Sequence, residues 1–252
     1  LMKIVLYTGY QSTHWNPDTQ YKIGLGGTEQ CVLYLAYYLA GHPGNEVWVV
    51  GDVIDGDFDK VKYRSLENFK KEVKSVDTII ATSYIHYLLE FEDIEYKNSI
   101  FWVHNTDYFT YWRGEEIENH RELLLHPKLN HIICLTYWHK DKFTEQFPEA
   151  LDKIQVIGNG IYKNAFVDVW PKPKNIKGKF LPGDPLHDIK IQNRYIYSSH
   201  AERGLGRLLE EWPSILENTP DATLKVATPA YGLEYFNLYF NLYLIMTKND
   251  FI

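Results

Sequence analysis

The feature that most restricts how this chain can fold is an alternation of short apolar strands with amphipathic helices. The run Lys3–Thr8 (KIVLYT) is rich in β-formers, and Thr28–Ala40 carries a long apolar stripe that stops at Gly41, a common residue after a helix. The alternation continues with strands at Glu46–Val50, Thr78–Ala81, Ser99–Val103, His131–Leu135 and Lys153–Ile157 and with helices at Leu66–Val73 and Tyr137–Phe147. Short continuous apolar strands separated by helices predict a doubly wound parallel sheet of the α/β class.

A second α/β unit is predicted beyond residue 190. Strand Tyr195–Ser198, helix Gly204–Leu216 and strand Thr223–Ala227 repeat the pattern of the first part of the chain. Residues Val169–Ile189 are rich in proline, glycine and lysine and lack periodicity, which is typical of a linker. We therefore predict an N-terminal α/β domain over residues 1–165, a linker over 166–190 and an incomplete second unit over 191–252.

The charge and the cysteines of the chain argue against some functions and locations. A formal net charge of −7 argues against a nucleic-acid groove and against a strongly basic membrane-docking face. Cys31 and Cys134 each lie in an apolar run, which is typical of buried thiols in a reducing compartment. No signal peptide precedes Met2 and no apolar run is long enough to span a bilayer, so we expect a cytoplasmic protein without a transmembrane segment.

Two strand-to-helix junctions suit an anionic ligand. At a helix N-terminus, free backbone N–H groups converge with the positive end of the helix dipole, and glycines let a ligand approach the backbone. The first junction is Gly24–Thr28 (GLGGT), and the second carries Arg203 between the strand and the helix of Tyr195–Ile215. The glycine spacing matches neither the phosphate-binding P-loop nor the dinucleotide GxGxxG motif. A flexible helix entry and a surface cation are the competing interpretations of the two junctions.

Polar residues follow two of the predicted strands, at the edge where parallel sheets bind ligands. His104 follows the strand SIFWV and begins the polar loop HNTDYF, so it is placed to contact a substrate hydroxyl or to polarise a leaving group. Asn159 stands between glycines in IGNGI, after the strand Lys153–Ile157. A hydrogen-bonded structural histidine and a plain turn are the competing interpretations of these two positions.

Five segments of the chain form an ordered set. They are GLGGTEQ after the first loop, WVHN after a middle strand, ICLTYWHKDKF, QVIGNGI and, in the second unit, YSSHAERGLGRLLEEWPSILENTPDATL. Each is weak alone, but together they extend over most of residues 2–228 and resemble the retaining glycosyltransferases of family 4, group 1. The resemblance implies a GT-B-like fold, with a Rossmann-type doubly wound parallel sheet in the N-terminal domain and a second, shortened donor-side unit.

The resemblance also implies a reaction and a set of site residues. The donor would be a nucleotide-diphosphate sugar and the acceptor a carbohydrate or glycoconjugate, and transfer would need no metal or other cofactor. Gly26, Gly27 and Arg203 would bind the donor diphosphate, with Arg203 in the place of the family's lysine. His104 would be the catalytic residue beside the transferred sugar. The remaining candidate substrate contacts are Thr28, Asn105, Asn159, Ser198 and Ser199.

We expect no metal site. Asp57-Phe58-Asp59 matches the DxD pattern of metal-dependent sugar transferases of another fold. The surrounding segment GDVIDGDFDK is more typical of a solvated acidic turn, and no further ligands cluster near it in the sequence. No cysteine–histidine cluster has zinc spacing, and no GxSxG nucleophile motif occurs.

Two other functions stay open from the sequence. A catalytically degenerate glycosyltransferase-like binding or assembly protein is the main alternative, because the family's E-x7-E region has no counterpart in the chain after strand Thr223–Ala227. The repeat YFNLYFNL at Tyr235–Leu242 would line one side of a helix with aromatic side chains, which favours self-association. A GT-B-like epimerase is the second alternative.

Overall fold

The computed structural model describes residues 2–11, 13–22, 24–106, 120–160, 193–199 and 204–227. The chain divides into two compact units, Leu1–Tyr162 and Lys163–Ile252. The predicted linker at 166–190 and the aromatic repeat Tyr235–Leu242 lie outside the described residues. The domain boundaries proposed from the sequence therefore stay predictions.

The first unit is built on one sheet. Its strands, β1 to β8 in chain order, are Met2–Gly9, Asn45–Gly51, Gly56–Phe58, Val61–Arg64, Ser75–Thr82, Glu95–Trp102, His131–Cys134 and Ile154–Val156. They are arranged in the order β3-β4-β2-β1-β5-β6-β7-β8. Every neighbouring pair is parallel except the edge pair β3–β4. The predicted parallel sheet is confirmed, and each strand predicted in this part of the chain overlaps an observed one.

Strand β1 lies inside the sheet, and its alternating side chains fill both hydrophobic cores. It pairs with β2 on one side and with β5 on the other, so that Tyr7 is opposite both Val50 and Ala81. Val5 and Tyr7 pack into one core and Leu6 into the other. Because an interior parallel strand is buried on both faces, its sequence is apolar without interruption.

Helices cover both faces of this sheet. They are, from α1 to α6 in chain order, Thr19–Lys22, Gly27–Gly41, Leu66–Glu72, Tyr87–Glu90, His120–Leu125 and Tyr137–Gln146. Helix α2 packs Val32 and Ala36 against the face that holds Leu6. The opposite face receives apolar side chains from the four later helices, among them Phe69, Leu88, Leu124 and Phe143. The first unit is therefore the doubly wound α/β fold that the sequence predicted.

The acidic segment after β2 differs from its prediction as a solvated turn. Gly56–Phe58 forms β3, which pairs antiparallel with β4 so that Asp57 is opposite Lys62. Asp57 forms an ion pair with Arg64, whose guanidinium also binds Glu72 of α3, at 2.8 Å in both cases. Composition did not indicate this strand, because glycine and aspartate are depleted in strands.

The described part of the second unit is a β–α–β motif. Strands β9 (Arg194–Ser198) and β10 (Thr223–Ala227) are parallel, and α7 (Leu205–Asn218) lies between them in the chain. Gly204 precedes the helix at φ +104°, a left-handed conformation that residues other than glycine rarely adopt. This motif is the pattern predicted for the second unit. Across the described ranges of both units, no helix combines the length and apolar character needed to cross a membrane.

Replacing Ile79 tests how much the centre of the sheet stabilises the first unit. Ile79 lies in β5 and is 0 % exposed, so Ile79→Ala leaves a cavity. We expect the free energy of unfolding, measured by urea denaturation, to fall by about 2–5 kcal/mol. Ile54→Ala is the matched control, since Ile54 is 46 % exposed, and it should cost less than about 1 kcal/mol. Equal losses in the two variants would contradict this burial pattern.

Candidate functional site

The carboxyl ends of the parallel strands meet along one edge of the first unit's sheet. Just beyond β5, the Ser83 N–H donates to the Trp102 carbonyl of β6 at 3.2 Å. Just beyond β6, the Val103 N–H donates to the Ile133 carbonyl of β7 at 2.9 Å. The loops after these strands therefore begin side by side. In doubly wound sheets this is the edge at which ligands bind.

The N-terminus of α2 points to the same edge, because α2 runs from the loop after β1 back to the start of β2. Gly26 is its N-cap, in an extended conformation, and among the described residues no side chain caps it. The backbone N–H groups of the first turn are thus left for other acceptors. Gly27 has open space where a Cβ would stand. Together with the helix dipole, these N–H groups form a site suited to an anion.

The Glu29 carboxylate competes for this helix terminus. It lies where a Cβ on Gly26 would stand, so a side chain at position 26 would have to displace it. Glu29 is in the first turn of α2, where the helix dipole favours a negative charge. Glu29 thus reaches back toward the N-cap as the glutamate of a capping box does, but Gly26 has no side chain to complete such a box. An anionic ligand at Gly26-Gly27 therefore meets a carboxylate already in place.

His104 lies on the loop after β6. The centroid of its ring is 4.4 Å from that of Trp102, with an interplanar angle of 59°. Its Nε2 is buried and has no hydrogen-bond partner among the described residues. Burial, and secondarily the neighbouring His139, lower the pKa of His104 to about 4. The imidazole is therefore neutral at physiological pH and suited to hydrogen bonding with an uncharged group.

A cluster of tyrosines with Glu90, which the sequence did not indicate, fixes the start of the loop after β1. The hydroxyls of Tyr7 and Tyr10 both donate to the Glu90 carboxylate of α4. The Tyr84 hydroxyl donates to the Tyr10 carbonyl at 2.7 Å. The Tyr84 ring also lies against Gly9, whose φ of +63° suits glycine. No sequence motif links Glu90 to Tyr7, because 83 positions separate them.

His139 is a further residue at this edge that the sequence did not single out. It is 4 % exposed, and its Nε2 lies 3.0 Å from the Asn105 carbonyl oxygen. The segment ICLTYWHKDKF does contain a recognisable helix start, because Thr136 is the N-cap of α6. Nothing in that pattern indicates that the histidine side chain faces inward.

The predicted site residues fall into three groups. Those of the first unit lie on the loops and the helix start at the edge described above, namely Gly26, Gly27, Thr28, His104, Asn105 and Asn159. Ser198 ends β9 and Ser199 follows it, in the second unit. Arg203 lies outside the described residues. The roles given to all of these residues stay predictions.

The DxD-like pair does not lie near His104. Asp57 is in the edge strand β3, whereas His104 follows β6 on the other side of β1 in the sheet. The Asp57 carboxylate forms an ion pair with Arg64. In the part of the chain that the structure describes, no group of three histidine, cysteine, aspartate or glutamate side chains is placed to hold a metal ion.

Comparison with known proteins identifies similar structures and no similar sequences. No protein-family model and no curated protein matches the chain significantly. The catalytic domain of starch synthase IV from Arabidopsis thaliana, bound to ADP and acarbose, has a TM-score of 0.55 and 11% identity, over 99% of this chain and 75% of that chain. The α,α-trehalose-6-phosphate synthase from Burkholderia multivorans has a TM-score of 0.57 and 11% identity, over 96% of this chain and 69% of that chain. These neighbours are GT-B glycosyltransferases. The chain shares the GT-B fold.

The lowered pKa of His104 makes the folded state sensitive to acid. In the unfolded chain the histidine titrates near its ordinary value of 6.5, whereas in the folded chain it titrates at about 4. Above pH 6.5 both states hold it neutral, and between pH 6.5 and pH 4 the unfolded state binds the extra proton, so stability falls as pH falls. Over this interval the wild type should lose about 1–3 kcal/mol more than His104→Gln, measured by urea denaturation at each pH. Superimposable pH profiles would contradict the burial of the ring.

Proposed function

We propose that this chain is a glycosyltransferase that moves a sugar from a nucleotide-diphosphate donor to a carbohydrate or glycoconjugate acceptor. The observation that carries the proposal is a pairing at one edge of a GT-B sheet. There, the helix N-terminus at Gly26-Gly27, which no side chain caps among the described residues, accompanies the neutral imidazole of His104. The first suits a phosphate group, and the second suits a sugar hydroxyl. As support, the starch synthase neighbour is bound to ADP and acarbose.

The donor diphosphate is assigned to Gly26, Gly27 and Arg203. Departure of a nucleoside diphosphate develops negative charge, and backbone N–H groups with a cation stabilise that charge without a metal ion. Arg203 directly precedes Gly204, the N-cap of α7, so its charge would add to that of a second helix N-terminus. We propose accordingly that transfer is independent of metal, and that it is retaining, as in the family-4 enzymes that the motifs resemble.

His104 is assigned to the transferred sugar. A neutral imidazole donates through one nitrogen and accepts through the other, and either bond fits a hydroxyl. The Trp102 ring packs against the imidazole of His104. The remaining polar candidates are assigned to donor or acceptor contacts, namely Thr28, Asn105, Asn159, Ser198 and Ser199. A cytoplasmic location stays a prediction of the sequence.

Isothermal titration with UDP-, GDP- and ADP-sugars, in buffer that contains EDTA, tests the proposal. At least one donor should bind, and addition of oligosaccharide acceptors should release the nucleoside diphosphate. Failure of every donor to bind, with folding verified by circular dichroism, would contradict the proposal. Donor binding without transfer to any acceptor would favour the degenerate binding protein instead.

Arg203→Ala tests the assignment of the phosphate-binding cation. Loss of a charge-assisted hydrogen bond costs about 1.5–3 kcal/mol, so donor affinity should fall about 10- to 100-fold in the same titration. Arg207→Ala is the matched control in helix α7, because the Arg207 guanidinium lies 3.7 Å from Glu211 on the same helix. An equal loss of affinity in both variants would show a general charge effect rather than a specific contact.

Glu29→Gln tests the competition at the N-terminus of α2. The change removes a negative charge beside Gly26 while keeping the side-chain shape, so donor affinity should rise about 2- to 5-fold at low salt. Glu67→Gln is the control, since Glu67 is also in the first turn of a helix, α3, but forms its ion pair with Lys71. Weaker donor binding by Glu29→Gln would mean that the carboxylate helps to bind the donor.

A further inference from the structure

The buried His139 joins the loop after β6, which carries His104, to the loop after β7. His139 lies in the first turn of α6, and its backbone N–H donates to the hydroxyl of the N-cap Thr136 at 3.0 Å. Both nitrogens of its ring also hydrogen-bond to the main chain, one to the loop after β7 and the other to the loop after β6. The side chain is therefore a bridge between two strand ends, held at the helix start by the N-cap.

These contacts define which nitrogen of His139 carries the proton. The Leu135 N–H donates to Nδ1 at 3.2 Å, so Nδ1 must be the unprotonated acceptor. Nε2 then carries the hydrogen and donates to the Asn105 carbonyl oxygen at 3.0 Å. The position thus requires an acceptor and a donor on opposite sides of one rigid ring, which is what a neutral imidazole provides.

The hydrogen bond from His139 to the Asn105 carbonyl restrains the backbone on the C-terminal side of His104. On the N-terminal side of His104, the Val103 N–H donates to the Ile133 carbonyl at 2.9 Å. His104 is the single residue between these two fixed points, so its backbone has little freedom to turn. The direction of its imidazole follows from that restraint and from the Trp102 ring 4.4 Å away.

We propose that His139 is a positioning residue, which holds the loop after β6 through the Asn105 carbonyl so that His104 keeps its orientation toward the transferred sugar. The inference rests on the proposed function for the role of His104. In this role His139 bonds to the main chain of Leu135 and Asn105 and acts on the sugar through His104. A displacement of about 1 Å at a reacting centre is enough to lower a rate about 100-fold.

Two substitutions separate the two hydrogen bonds of the ring. His139→Asn keeps an acceptor near the position of Nδ1 for the Leu135 N–H but is too short to reach Asn105. His139→Gln places an amide N–H near the position of Nε2 and so can preserve the bond to Asn105. Both variants are uncharged, so a difference between them reports the restraint on the loop and not the loss of a titratable group. His131→Asn is the matched control, since His131 is exposed at the opposite end of β7.

The kinetic readout is the rate of sugar transfer under saturating donor. We expect kcat of His139→Asn to fall about 10- to 100-fold with little change in the donor KM. His139→Gln should recover most of the rate, and His131→Asn should match the wild type. Equal rates for His139→Asn and His139→Gln, or a loss confined to KM, would overturn the positioning role.

The second readout is the pKa of His104 measured by NMR titration of the full chain, which needs no substrate. In His139→Asn the released loop should let the ring reach solvent, so the pKa should rise from about 4 toward 6.5, further than in His139→Gln. The same pKa in the two variants would overturn the inference even if the wild type transfers no sugar. If His139→Asn does not fold, His139→Gln alone tests the proposal. In that variant the pKa of His104 should stay well below 6.5, and a pKa near 6.5 would overturn the inference.

Discussion

The parallel pairing of β1 with both β2 and β5 is the constraint on which the rest of the first unit depends. Tyr7 is opposite Val50 and Ala81 in this register, which turns its side chain toward α4 and Leu6 toward α2. A slip of one residue would exchange the two faces, because side chains alternate along a strand. The register therefore decides which helix packs on which face and where each loop leaves the sheet.

Strands with an apolar run were predictable even when short, as the three-residue β8 shows, whereas β3 and α4 were not. The apolar runs of β1, β2 and β5 are several residues long, and the stripe of α2 ends at a glycine, so their types follow from periodicity alone. Strand β3 has only three residues, and α4 has four. Strand β3 (GDF) has no apolar run and α4 is too short to show a helical period, so both form because their neighbours supply the partners. Arg64 shows this for β3, since it binds Asp57 and Glu72 from two different elements.

The sequence selected candidate site residues but did not reveal the contacts that surround them. The rule that ligands bind at strand ends selected His104 and Asn159 without knowledge of any contact. The lowered pKa of His104 depends on its burial, and the loop that carries it is bonded to His139 through Asn105, 34 positions away. The tyrosine cluster on Glu90 is equally non-local. Contacts between distant segments carry no local sequence pattern, which is why these residues were missed.

Among the described residues, the buried Nε2 of His104 has no hydrogen-bond partner, which would affect ligand selectivity in the proposed site. A buried polar atom without a hydrogen bond costs the folded chain about 1–3 kcal/mol. A ligand whose hydroxyl reaches this nitrogen removes that cost, whereas a deoxy analogue of the same shape leaves it in place. Discrimination then arises because the analogue cannot form the hydrogen bond that removes this cost. In the proposed role of His104, this nitrogen would favour polyhydroxylated molecules over their deoxygenated counterparts.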